Sequence, residues 1–178
     1  MTCVVGVVGP DHVVIAGDSA AVDGDEVSTG PVKVFRRGPY IIGYCESFRV
    51  GQVIRYRTKF SEQKCDDLVE HLATVFVDEL RTALHKAGAT SSSDPDELAG
   101  PLLVGHRSGR LFTIDTDYGV HEAVDGYAAI GCGAPYALGS LHATRGDPTD
   151  RAVAALTAAT VHCTAVITPF TILTDKEQ

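Results

Sequence analysis

The sequence predicts an α+β fold in which two sheets lie face to face with a pair of helices outside each. Three observations predict it. Strand-like segments come in blocks followed by helices, which argues for layers rather than alternating βαβ units. The first two strands are apolar on both faces, as in a sheet covered on each side. Helical stretches come in pairs after each of the two main strand blocks.

In chain order, residues 3–8 and 12–16 are β-branched and apolar and form a hairpin across Gly9-Pro10-Asp11. A polar, glycine-containing loop covers about 19–30. Residues 32–36 (VKVFR) and 40–44 (YIIGY) form a second hairpin across Arg37-Gly38-Pro39. Residues 48–59 are helical, with Val50, Val53 and Ile54 on one face. The clearest helix runs over 65–87, where Leu68, Val69, Leu72, Val75, Phe76, Leu80, Ala83 and Leu84 recur at helical spacing before the stop at Gly88. A polar loop at 89–97 separates this helix from strands at 101–105 and 110–114, which turn at Ser108-Gly109. A further strand lies at about 126–130, Ala-rich helices at 133–144 and 149–161, and a final strand near 169–174.

Composition excludes several function classes. The 178 residues suit one domain, residues 1–178, with its own hydrophobic core. A net charge of -8 disfavours a nucleic-acid partner, which needs a basic face. Five cysteines, none in a CxxC pair, argue against a disulfide framework or a zinc site and for a reducing compartment. The seven histidines form no HExxH or i, i+4 pair, so neither a metal nor any cofactor is expected. The N-terminus lacks the positive region of a signal peptide, and no apolar run is long enough to span a membrane. A cytoplasmic protein is expected.

Four residues stand out chemically. Thr2 becomes N-terminal if Met1 is removed, which joins a hydroxyl and a free α-amine, a nucleophile and its base, on one residue. Asp18 directly follows the second strand in IAGDS; alone it reads better as an ordinary turn aspartate. Lys33 lies among apolar strand residues and calls for a carboxylate partner, or else blunts an exposed edge. Cys132, in Gly131-Cys132-Gly133, sits where a strand gives way to a helix, and small residues there allow close backbone approach. It also reads as a small buried turn residue.

In their joint order these features resemble the proteasome β-subunit family, and HslV most. The segment TCVVGVVGPDHVVIAGDS resembles the family's opening hairpin, TGPVKVFRR its lysine strand, and YAAIGCGAPYALGSL its Gly-Ser-Gly turn and following helix. The resemblance spans nearly the whole chain. It implies the four-layer αββα sandwich of N-terminal nucleophile (Ntn) hydrolases. It makes Thr2 the nucleophile, its α-amine the general base, Asp18 and Lys33 a supporting pair, and Cys132 the occupant of a serine position that places the amine.

Three departures from the family pattern are visible. Cys132 replaces serine, and a thiol is a weaker hydrogen-bond partner. The oxyanion loop reads GYCES, which puts Glu46 where a glycine N–H would bind the oxyanion. The late helix, reading TVHCT, has Val161 and His162 where the family carries an Asp.

The resemblance implies a threonine endopeptidase that hydrolyses unfolded proteins inside a closed homo-oligomeric ring, exposed by loss of Met1 alone. A separate AAA+ ATPase unfoldase is the implied partner, because the chain contains no GxxxxGK[ST] loop. The alternatives are a catalytically silent ring subunit and a small-molecule amidase of the Ntn superfamily.

Overall fold

The computed structural model of the chain describes residues 2–63, 66–91 and 93–175. Among them are eleven strands and four helices. Strands β1 (Val4–Val8) and β2 (Val13–Gly17) form the first hairpin, β3 (Ala20–Asp23) and β4 (Glu26–Thr29) a small second one, and β5 (Val34–Arg37) and β6 (Tyr40–Tyr44) a third. Helix α1 is Phe48–Tyr56. Helix α2 opens as Leu68–His71, passes through a π turn at Leu72–Phe76 and continues as Val77–Lys86. Then come β7 (Leu102–His106), β8 (Arg110–Ile114), β9 (Val120–Glu122), β10 (Tyr127–Ile130), α3 (Ala134–Ala143), α4 (Pro148–His162) and β11 (Thr171–Thr174).

The strands make two antiparallel sheets, ordered β10-β1-β2-β11 and β5-β6-β7-β8-β9, with the β3-β4 hairpin apart. Strand alternation divides the apolar residues among three cores. Val4, Val13 and Ile15 point inward with Ile41, Leu103 and Leu111 and join the two sheets. Their neighbours Val5, Val7, Val14 and Ala16 point outward and pack under α3 and α4, against Ala137, Leu141, Ala155 and Leu156. On the other side Tyr40, Ile42, Val104 and Phe112 pack under α1 and α2. The result is the four-layer αββα sandwich that the sequence predicts. Gly43 faces the other sheet, and a Cβ there would come within 2.5 Å of Val4 Cγ1, so glycine lets the two sheets approach closely.

The helices follow their local signals. Ser47 caps α1 by accepting from Val50 N–H at 3.3 Å. Asp147 caps α4 by accepting from the Thr149 and Asp150 N–H groups, with Pro148 at the first helical position. In α2, buried Leu68, Leu72, Phe76, Leu80 and Leu84 recur every four residues, a period longer than the α-helix supplies. The wider π turn absorbs the excess and keeps all five on the sheet.

The structure corrects the sequence reading in four places. Lys33 lies just before β5 rather than inside it. The loop expected at 19–30 contains the β3-β4 hairpin, whose two-residue turn is Gly24-Asp25. Strand β9 was not foreseen. Helix α1 ends at Tyr56 instead of 59, and the start expected for α2 at Cys65 lies outside the described residues. Among the described residues, no helix is long and apolar enough to cross a membrane.

Candidate active site

The register of the first hairpin sets the centre of the site. Val4 pairs with Gly17, which brings Cys3 beside Asp18. Asp18 N–H donates to the Cys3 carbonyl at 3.1 Å, and Cys3 N–H donates back to Asp18 Oδ1 at 2.9 Å. Thr2 precedes this pair and is buried.

Lys33 arrives from the other sheet. Its carbonyl accepts from Tyr44 N–H at 3.1 Å, which fixes it at the entry to β5. Its ammonium donates to both oxygens of Asp18, at 2.9 and 3.1 Å, and neither side chain is exposed to solvent. Asp18 Oδ2 also accepts from Ala20 N–H at 2.7 Å. The carboxylate is therefore met by the ammonium and two backbone donors, which a buried charge requires. Through Asp18, Lys33 is tied to the backbone of the residue that follows Thr2.

The third side of the site comes from β10, which pairs with β1 and ends opposite Val4. The Gly131-Cys132-Gly133 turn then folds over Thr2. Gly133 N–H donates to the Thr2 carbonyl at 3.2 Å. Thr2 N lies 3.3 Å from Cys132 Sγ, and the thiol lies 3.4 Å from the Thr2 carbonyl oxygen. Gly131 has φ 90°, and a Cβ there would sit 2.3 Å from the Thr2 carbonyl oxygen. Only glycine fits this approach. The structure thus brings together Thr2, Asp18, Lys33 and Cys132, four residues singled out from the sequence.

Glu46 lies at the same end of the second sheet, two residues beyond Tyr44. Its φ is 66°, and Ser47 N–H donates to the Cys45 carbonyl across it at 2.9 Å. This is a γ-turn with a non-glycine residue at positive φ, a strained arrangement of the kind that clusters at functional sites. Glycine would adopt it without strain. Glu46→Gly is therefore expected to raise stability by about 1 kcal/mol and to remove a carboxylate from the place expected to stabilise an oxyanion. Thermal denaturation and peptide cleavage measured side by side check both effects.

The late helix supplies a residue that the sequence reading did not single out. Val161 and His162 are exposed, and His162 lies against the Tyr136 ring. The residue that reaches the site is Cys163, the cap residue of α4, whose Sγ lies 3.4 Å from Cys132 Sγ. Burial pushes its thiol pKa up, and the Cys132 contact adds to the shift. Cys3 and Cys45 are more deeply buried, and burial pushes both thiols up to about 12. Among the described residues, no cluster of three or more His, Cys, Asp or Glu is placed to hold a metal ion.

Beside Lys33, at Val32, a small pocket opens between Phe35, Tyr44, Gly51, Arg55 and Tyr56. The Arg55 guanidinium lies 5.8 Å from the Phe35 ring centre and 5.2 Å from that of Tyr56.

The four-layer αββα sandwich is the fold that the resemblance to proteasome β-subunits implies. Comparison with solved structures bears this out at the level of fold. Thiobacillus denitrificans BPH superposes with a TM-score of 0.81 at 20% identity, over 97% of this chain and 96% of that one. The same protein in complex with Epoxomicin gives a TM-score of 0.79 at 19% identity, covering 97% of each chain. Eukaryotic HslV from Trypanosoma brucei gives 0.68 at 20% identity, over 97% of this chain and 98% of that one. No family model matches the sequence, and no curated protein matches it.

Proposed function

We propose that the chain is a threonine peptidase subunit in which Thr2, freed of Met1, is an N-terminal nucleophile. The observation that carries this is the position of the Thr2 nitrogen, against Cys132 Sγ and one residue from the buried Lys33–Asp18 pair. While Met1 is attached, that nitrogen is an amide and cannot act as a base. Once freed, the amine takes the proton from the Thr2 hydroxyl as the oxygen attacks a substrate carbonyl. The resulting ammonium returns the proton to the leaving amine, and an ester to Thr2 remains. Water, activated by the same amine, then hydrolyses the ester.

The Lys33 charge favours negative charge developing at neighbouring oxygens. The Glu46 N–H is the proposed oxyanion donor. The pocket beside Val32 would receive the substrate side chain next to the cleaved bond. Epoxomicin, bound by the BPH of the comparison, is a suitable probe of Thr2.

Substrates on this reading are unfolded proteins, hydrolysed within a closed ring of identical subunits fed by a separate AAA+ ATPase. Exposed Tyr56, Val124 and Val161 offer apolar contacts for ring formation. Fluorogenic peptide cleavage by protein lacking Met1 tests the proposal. Cleavage should rise as the amine deprotonates, with a midpoint of roughly pH 7–8, and light scattering should give a multiple of 18.8 kDa. A flat profile through that range, or a monomer mass at micromolar concentration, would count against it.

A further inference from the structure

Cys132 and Cys163 stand apart from the other described cysteines. Cys132 is exposed and Cys163 half-buried, whereas Cys3 and Cys45 are buried. Their sulfurs lie 3.4 Å apart although the residues are 31 positions apart in sequence. One caps the end of α4, and the other lies in the turn that opens α3, so two separate elements hold them together. Cys132 is also the residue whose sulfur contacts the Thr2 nitrogen and carbonyl. Any bond made by Cys132 sulfur therefore reaches the proposed nucleophile directly.

We propose that Cys132 and Cys163 form a reversible disulfide that withdraws Cys132 from Thr2 and switches the site off under peroxide. A disulfide needs the sulfurs at about 2.05 Å, so they must close by roughly 1.4 Å. On this proposal the Cys132 side chain turns toward α4, so that its sulfur leaves its contacts with Thr2. The disulfide also carries no S–H to donate to the Thr2 carbonyl.

The chemistry closes with hydrogen peroxide as oxidant. The exposed Cys132, as thiolate, attacks one peroxide oxygen; the O–O bond breaks, and the second oxygen leaves as water after taking up a proton. This gives Cys132 sulfenic acid. The Cys163 sulfur then attacks the Cys132 sulfur, the S–S bond forms, the S–O bond breaks, and a second water leaves. In sum, two thiols and one peroxide give one disulfide and two waters, with two electrons passing from sulfur to oxygen. Cys163 is suited to the second step by position, its sulfur already 3.4 Å from that of Cys132. Buried Cys3 lies close by, but its thiol pKa of about 12 leaves little thiolate to compete.

The effect on cleavage rests on the peptidase reading; the crosslink does not. The test treats the full chain, with Met1 removed, with hydrogen peroxide, alkylates the remaining thiols and maps the peptides. The expected result is a loss of about 2 Da and a peptide joining Cys132 to Cys163. Peptide cleavage should fall on the order of tenfold or more through misplacement of the nucleophile and return with dithiothreitol. Cys163→Ser, given the same peroxide dose, should form no crosslink and leave Cys132 as a sulfenic acid that dimedone traps. Recovery of both thiols in alkylated form, or a crosslinked protein with unchanged cleavage, overturns the proposal. If the reduced protein cleaves nothing, the peptidase reading fails, and reductive methylation of the Thr2 amine decides the switch. A changed methylation rate in the crosslinked protein supports it, and an equal rate overturns it.

Discussion

Lys33→Ala is expected to abolish peptide cleavage and to destabilise the fold by about 3–5 kcal/mol. The two losses have different origins. Lys33 and Asp18 are both without solvent exposure, and the ammonium contacts both carboxylate oxygens. Removing it leaves a buried carboxylate with only the Cys3 and Ala20 N–H groups. Catalysis suffers because the positive charge that Asp18 links to the Cys3 backbone is gone. A double variant, Asp18→Asn with Lys33→Met, separates the effects. Replacing a buried ion pair by uncharged groups of similar volume is often neutral or better, so denaturant melts should show most of the stability restored. Cleavage should stay at background. A Lys33→Ala protein that is folded and cleaves at the wild-type rate would show that the pair is structural only.

Thr2→Ala should lower cleavage by on the order of 10³ or more while leaving thermal stability close to that of the parent. Thr2 is buried but sits at the head of β1 rather than within a core layer, and alanine keeps its backbone bond from Gly133. Thr2→Ser, which keeps the hydroxyl, should retain measurable turnover. A form carrying an extra residue ahead of Thr2 should be as inactive as the alanine variant, because its nitrogen remains an amide. The contrast between an intact hydroxyl and a blocked amine tests the base separately from the nucleophile. Equal cleavage by blocked and unblocked forms would remove the amine from the mechanism.

What the sequence made legible follows from physical cause. The paired hairpins, the helix pairs and the two-faced strands were readable because burial writes a period of 2 or 3.6 into the residues. Asp18 alone reads as a turn aspartate and stands out only in the joint order of the motifs; the hairpin register that places it beside Cys3, next to Thr2, is seen in the structure. Lys33 was expected to need a carboxylate partner and has one in Asp18, but it was placed inside the strand, since VKV carries no mark of where pairing begins. The β3-β4 hairpin left no signal because all four residues of β4 are exposed and bury nothing. Glu46 gave no hint of its positive φ, which the surrounding fold imposes against its own preference. Cys163 could not be linked to Cys132 because only the packing of α4 beside the turn that opens α3 brings them together. In the same stretch, Val161 and His162 drew attention by position, and both turn out to be exposed.

The most direct test of the central claim is the mass of the purified chain before and after incubation with a threonine-directed covalent inhibitor, with peptide mapping of the adduct. The account predicts a chain lacking Met1 that gains one inhibitor, located on Thr2. A chain that lacks Met1, takes up no inhibitor on Thr2 and cleaves no peptide would contradict it and leave a silent ring subunit as the better description.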